Sequence, residues 1–125
     1  MAENKPVIMV VDDSNSILQT AEKFLRNDFT VVPVKNGFTA LGHIQDFKPD
    51  LLFLDVVMPD FDGYKTCLAL KENPQFADMP IIILSGKDSP FDKALGEQMG
   101  CDDYLTKPFL EEELREKIRQ HLRRG

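Results

Sequence analysis

Five short apolar runs recur along the chain: Val7 to Val11, Phe29 to Val34, Leu51 to Leu54, Ile81 to Leu84, and Tyr104 to Leu105. Stretches of helical periodicity separate them. Ile17, Leu18, Ala21, Phe24 and Leu25 fall on one helical stripe, and Ala40, Leu41, Ile44 and Phe47 on a second. Tyr64, Cys67, Leu68 and Lys71, the last through its alkyl stem, mark a third; Phe91, Ala94, Leu95 and Met99 a fourth; Leu110, Leu114, Ile118 and Leu122 a fifth. Helix starts are expected after Ser14 and Asn15, Asn36 and Asp62, whose side chains suit N-caps, and at Pro90 and Pro108. Strands alternating with helices of this length imply βαβ units, hence a parallel sheet with both faces covered.

The runs are almost continuously apolar, as strands buried on both faces require. Phe29 to Val34 is the exception, because Pro33 cannot donate a ladder hydrogen bond and is best tolerated at a sheet edge. An α/β, doubly wound, five-stranded parallel sheet of order 2-1-3-4-5 places that second strand at an edge. A length of 125 residues suits one domain over 1–125 with a core at about 6–123, and no linker or low-complexity segment divides it.

Charge narrows the partners. The net charge is -6, and basic residues cluster only between Arg115 and Arg124, where they alternate with Leu114, Ile118 and Leu122 as the solvated side of a terminal helix. Nucleic-acid binding needs a basic face, so no nucleic-acid partner is expected. Met1 to Pro6 has no signal-peptide form, and no segment approaches the ~20 apolar residues of a membrane span. No membrane partner and a cytoplasmic location are expected. Cys67 and Cys101 lie outside any metal or redox spacing and read as reduced, buried small residues.

The chemistry collects where strands end. Asp12 and Asp13 follow the first strand, Asp55 the third, Ser85 the fourth, and Thr106 and Lys107 the fifth. The carboxyl ends of parallel strands share one edge, and ligands bind there where the winding reverses. Asp12, Asp13 and Asp55 should meet across neighbouring strands, flanked by Ser85 and Lys107. Three carboxylates in one cleft repel one another, and a divalent cation resolves the conflict. Oxygen-only ligands, few in number, suit Mg²⁺ better than Ca²⁺, and the lack of His or Cys disfavours zinc. Phosphate is the natural ligand of such a pocket. Asp55 could take a phosphoryl group as an acyl phosphate, with Lys107 and the Ser85 hydroxyl contacting its oxygens, and Gly86 leaves the approach open.

Taken singly, each piece has a bland alternative. Asp12 and Asp13 equally suit helix capping, Asp55 a solvated strand end, Ser85 with Gly86 a turn, Lys107 a surface charge, and Tyr104 rim packing. Agreement of these four strand ends with one plan favours the site.

Nearly the whole chain resembles the receiver domains of two-component response regulators. The resemblance is carried by Val-Val-Asp-Asp-Ser (10 to 14), Pro-Asp-Leu-Leu-Phe-Leu-Asp-Val-Val-Met-Pro (49 to 59), Asp-Gly-Tyr (62 to 64), Pro-Ile-Ile-Ile-Leu-Ser-Gly (80 to 86) and Gly-Cys-Asp-Asp-Tyr-Leu-Thr-Lys-Pro-Phe (100 to 109). It implies a flavodoxin-like fold, Asp55 as phosphoacceptor, and Mg²⁺ held by Asp13, Asp55, the backbone carbonyl of Val57 and, through water, Asp12. It also implies Ser85 as switch hydroxyl, Tyr104 as switch aromatic, Lys107 as the phosphate-pairing lysine, and a cis Lys107–Pro108 bond. A narrower resemblance, over 62 to 67, 86 to 94 and 104 to 109, is to stand-alone receivers of chemotaxis-like systems that control type IV pili and twitching motility. Val57 and Lys87 depart from the common pattern beside the route of water to an acyl phosphate.

The expected function is a signalling switch rather than an enzyme with a substrate of its own. A histidine kinase is the phosphodonor. A downstream effector protein reads the last two helices and the fifth strand, and the chain is a monomer or a phosphorylation-dependent dimer. With the last helix ending at Gly125, no output domain is expected. A phosphotransferring enzyme of the haloacid-dehalogenase type would place a second Asp where Val57 stands. A receiver that works without phosphorylation would not need every acidic and cationic position retained. A flavin site lacks its phosphate loop.

Overall fold

The computed structural model describes residues 5–58, 61–86 and 93–122. In chain order the elements are β1 (Val7–Val11), α1 (Asn15–Leu25), β2 (Thr30–Val34), α2 (Gly37–Phe47), β3 (Leu51–Asp55), β4 (Val57–Met58), β5 (Phe61–Asp62), α3 (Gly63–Glu72), β6 (Ile81–Gly86), α4 (Lys93–Gln98), β7 (Asp103–Lys107) and α5 (Glu111–His121). Each apolar run is a strand of one parallel sheet of order β2-β1-β3-β6-β7. Numbered within that sheet, this is the expected 2-1-3-4-5. The short antiparallel pair β4–β5, with Val57 opposite Asp62, was not anticipated. Pro33 lies on the edge strand β2, opposite Val10.

The period of two along each strand divides the core into two layers. Met9, Val11, Leu52, Leu54, Ile81 and Ile83 pack with Ala40 and Ile44 of α2 and with Cys67 and Leu70 of α3. Ile8, Val10, Leu51, Phe53, Ile82, Leu84 and Leu105 pack with Leu18, Ala21 and Leu25 of α1 and with Leu114 and Ile118 of α5. Phe53 is fully buried in the second layer, and burying a side chain of that size contributes about 1.5–3 kcal/mol.

Three helix starts are capped as expected. The Ser14 hydroxyl accepts from the Ile17 amide at 3.3 Å, and the Asn36 carbonyl oxygen from Phe38 and Thr39 at 2.7 and 3.2 Å. The Asp62 carboxylate accepts from Tyr64 and Lys65 at 3.0 and 3.2 Å. Pro108 does not open a helix: α5 begins at Glu111, and the Lys107–Pro108 bond is cis. Pro90, Phe91 and Lys87 lie outside the described residues.

The helical stripes needed correction in three places. On α2, Leu41 and Phe47 are 38% and 46% exposed, because the buried face of the helix is Gly37, Ala40 and Ile44. On α3 the buried face is Thr66, Cys67 and Leu70, and Leu68 is only partly covered. Lys71 contributes more than a stem: its ammonium bonds the Met79 carbonyl at 2.7 Å and the Asp102 carboxylate at 2.8 Å. On α4, Ala94 is exposed and Leu95 half-buried.

Candidate functional site

Strand parity decides which polar residues meet. Asp12 extends the Ile8–Val10 side of β1, Asp55 the Leu51–Phe53 side of β3, and Lys107 the Leu105 side of β7, all toward the same layer. The Asp12 amide continues the ladder with a bond to the Val34 carbonyl at 3.0 Å. The result is convergence at the carboxyl edge of the sheet. Carboxylate oxygens of Asp12, Asp13 and Asp55 all lie within 4.8 Å of one another. Asp12 and Asp55 are buried, and Asp13 is exposed at the mouth.

Lys107 reaches this cluster with its ammonium 2.8 Å from Asp12 and 3.3 Å from Asp55. Burial by itself would lower the pKa of the amine, but the hydrogen bond to Asp12 and the charges of Asp12 and Asp55 outweigh it and hold the pKa above the ordinary lysine value. Asp12 also has a local role, since its other oxygen accepts the Ser14 amide at 2.9 Å. The helix cap expected as the alternative role of Asp12 falls instead to Ser14, and Asp12 bonds the backbone of that cap with one oxygen and Lys107 with the other.

Among the described residues three carboxylates face one ammonium here, so their negative charge exceeds the positive charge of Lys107. An all-oxygen donor set open to solvent on the Asp13 side suits a hard divalent cation that keeps several waters. This chemistry fits Mg²⁺.

Ser85 is buried on the other parity of the sheet, continuing Ile81 and Ile83, and its hydroxyl donates to the Gly86 carbonyl at 3.4 Å. It sits one residue beyond Leu84, which pairs with Asp55 in the register of β3 with β6. Tyr104 lies opposite Ile83 on β7 and is 41% exposed. The Lys117 ammonium stands 5.8 Å from its ring centre. Tyr104, Thr106, Pro108, Glu113 and Lys117 line an open depression of about 530 Å³ between β7 and α5. Val57 follows Asp55 closely in β4.

One positioning residue escaped the sequence reading. A Cβ on Gly63 would lie 2.9 Å from the Val56 Cα and 3.0 Å from the Asp55 carbonyl oxygen. The first turn of α3 is thus pressed against the backbone that carries Asp55. The signal was present in Asp62-Gly63-Tyr64, directly after the Asp62 cap, but a glycine there reads equally as part of a turn.

The family model for the response regulator receiver domain matches residues 8–119. Among curated proteins, the chain is 47% identical over 116 residues to Protein PilG of Pseudomonas aeruginosa, covering 92% of this chain and 86% of that protein. It is 41% identical over 119 residues to the alkaline phosphatase synthesis transcriptional regulatory protein PhoP of Bacillus subtilis, covering 94% of this chain but 49% of that protein. Among solved structures, chemotaxis protein CheY4 of Vibrio cholerae superposes with a TM-score of 0.87 at 30% identity, over 94% of this chain and 99% of that one.

Proposed function

Because this chain belongs to the response regulator receiver domain family, we propose that it is a phosphorylation-dependent signalling switch with Asp55 as phosphoacceptor. The observation that carries the reading is the meeting of Asp12, Asp13 and Asp55 within 4.8 Å, with the Lys107 ammonium 3.3 Å from Asp55. Receiver domains interact with histidine kinases and downstream effectors, and a histidine kinase is the proposed donor.

Asp13 and Asp55, with the Val57 carbonyl and with Asp12 through water, would hold Mg²⁺. Bound there, the ion would offset the negative charge of the incoming phosphoryl oxygens. An Asp55 carboxylate oxygen attacks phosphorus, forming an acyl phosphate as the bond from phosphorus to the donor's histidine nitrogen breaks. Lys107 pairs with a phosphoryl oxygen, trading part of its contact with Asp55 for the new charge. The Ser85 hydroxyl turns from Gly86 to donate to another, drawing the end of β6 inward.

Tyr104 then turns toward the space Ser85 leaves. That changes the depression between β7 and α5, where an effector protein docks according to its differential affinity for the two states. The chain works as a single receiver over 1–125 in the cytoplasm, as a monomer or a phosphorylation-dependent dimer, without a substrate of its own. Among the described residues no helix is long and apolar enough to cross a membrane. The resemblance over 62 to 67, 86 to 94 and 104 to 109 points the output toward type IV pili, twitching or chemotaxis-like motility.

Incubation with Mg²⁺ and acetyl phosphate, followed by intact mass measurement, tests this function. The expected result is the gain of one base-labile phosphoryl group, absent from Asp55→Asn and absent without the metal. An equal gain on Asp55→Asn would overturn the assignment, and rapid turnover of a small phosphate ester would favour an enzyme instead.

A further inference from the structure

Asp62 serves two elements at once. It is the last residue of β5, opposite Val57 in the antiparallel pair, and it is also the N-cap of α3, with φ -101° and ψ 105°. The helix begins at the next residue, so the chain passes from ladder to helix with no linker between them. Ser14 and Asn36 cap α1 and α2 differently, from loops outside the strands that precede them.

The junction is locked from several sides. The Asp62 carboxylate accepts from the Tyr64 and Lys65 amides at 3.0 and 3.2 Å. Its backbone carbonyl accepts from the hydroxyl of the buried Thr66 at 2.9 Å. A Cβ on Gly63 would stand 2.9 Å from the Val56 Cα and 3.0 Å from the Asp55 carbonyl oxygen. The backbone from Asp55 to Val57 is thus held along its length, Asp55 and Val56 by Gly63 and Val57 by Asp62.

A plain helix cap accounts for the two amide bonds and for nothing else. Here the extended backbone that suits an N-cap is also the backbone of the ladder opposite Val57. Fixing Asp62 for the helix therefore fixes the short β4–β5 pair as well.

We propose that Asp62 is a positioning residue for the Mg²⁺ site, which by capping α3 holds the β4–β5 pair and with it the Val57 carbonyl. The inference rests on the assignment of that carbonyl, with Asp13 and Asp55, as a metal ligand. Mg²⁺ demands near-ideal octahedral geometry, so a ligand on a two-residue strand needs an anchor. The anchor is α3, whose Cys67 and Leu70 are packed in the core. Without the cap the Tyr64 and Lys65 amides lose their partner, the first turn of α3 frays, and the Val57 carbonyl must be ordered at the expense of binding. The Asp62 carboxylate is not one of the three that gather at the sheet edge, so a neutral side chain that still caps performs the same task.

The test is calorimetric titration of the full chain with MgCl₂, alongside urea denaturation of each variant. Asp62→Asn and Asp62→Ala remove the same charge, and only the first still caps. Mg²⁺ binding should be about fivefold weaker in Asp62→Ala than in Asp62→Asn, the factor that corresponds to an ordinary lost cap. Lys71→Met, which loosens the opposite end of α3, should bind the metal as the wild type does. Thr66→Val loses only the hydroxyl bond to the Asp62 carbonyl and should also weaken binding. If Asp62→Ala folds poorly, Thr66→Val decides the matter, and an unchanged affinity there would overturn the proposal. Equal affinity in Asp62→Ala and Asp62→Asn, or a loss in Lys71→Met as large as that in Asp62→Ala, would overturn it too. Binding that survives Asp13→Asn unchanged would instead overturn the metal assignment, and the proposal with it.

Discussion

The Lys107 ammonium lies 2.8 Å from the Asp12 carboxylate, joining the end of the last sheet strand to the end of the first. The same ammonium stands 3.3 Å from Asp55, so a single side chain neutralises part of the charge that two buried carboxylates bring to the sheet edge. Removing one member of a buried charge group leaves the others uncompensated.

Lys107→Met should therefore lower stability by roughly 2–4 kcal/mol in EDTA, less than for a sealed pair because Asp13 opens the cluster to water. Added Mg²⁺ should recover more stability in this variant than in the wild type. Urea denaturation with and without the metal measures both. The raised Lys107 pKa has a defined sign: its contribution is complete below the ordinary lysine value and is lost only as pH climbs through the higher folded value.

Gly63→Ala places a methyl group 2.9 Å from the Val56 Cα, a backbone atom that cannot rotate away. Overpacking of this kind costs about 1–3 kcal/mol. The variant should also weaken Mg²⁺ binding, read by calorimetry, because the strain falls on the backbone of Asp55. A surface change such as Thr106→Ser should leave both values alone.

Asp103 accepts hydrogen bonds from Lys117 at 2.9 Å, from His121 at 2.8 Å and from the Tyr104 amide at 2.8 Å. Burial works to raise the pKa of its carboxyl group, but the bonds from His121, Lys117 and Tyr104 prevail and leave it below the ordinary carboxylate value. A lowered folded pKa contributes stability above the unfolded value, lost as pH falls through the folded one. Asp103→Asn should thus be less stable than the wild type by about 1 kcal/mol at neutral pH, with the gap closing as the pH drops below about 4. Denaturation midpoints across that range give the answer.

Lys71→Met retains most of the stem but loses the ammonium that bonds the Met79 carbonyl at 2.7 Å and Asp102 at 2.8 Å. The expected loss is about 2 kcal/mol, since these two groups and the Ala77 carbonyl at 3.4 Å lose a charged partner in a partly buried site. Thermal denaturation checks it, and Lys71→Arg should recover part of the loss.

The sheet order was readable because five apolar runs and one proline at Pro33 leave few arrangements. The meeting of Asp12, Asp55 and Lys107 was readable for a related reason: each lies at the end of a strand, and parity then sends all three to one layer. Ser85 ends β6 too, but its parity takes it to the opposite layer, a distinction visible only once the register is known. Lys71 and Gly63 were opaque because their roles depend on how the segments before and after α3 fold back on it, Val56 against Gly63 and the Met79 carbonyl onto Lys71, which periodicity does not encode. Leu41 and Phe47 satisfy helical periodicity, yet the face that α2 buries is confined to Gly37, Ala40 and Ile44. Periodicity specifies a stripe without specifying how wide a surface it meets.

Chemical localisation of the acyl phosphate tests the switch most directly. After Mg²⁺ and acetyl phosphate, borohydride reduces a phosphorylated aspartate to homoserine, which a peptide map places by residue. The account predicts homoserine at position 55 alone, with none in the metal-free control. Homoserine at position 12 or 13, or at none of the three under conditions where the fold persists, would contradict it.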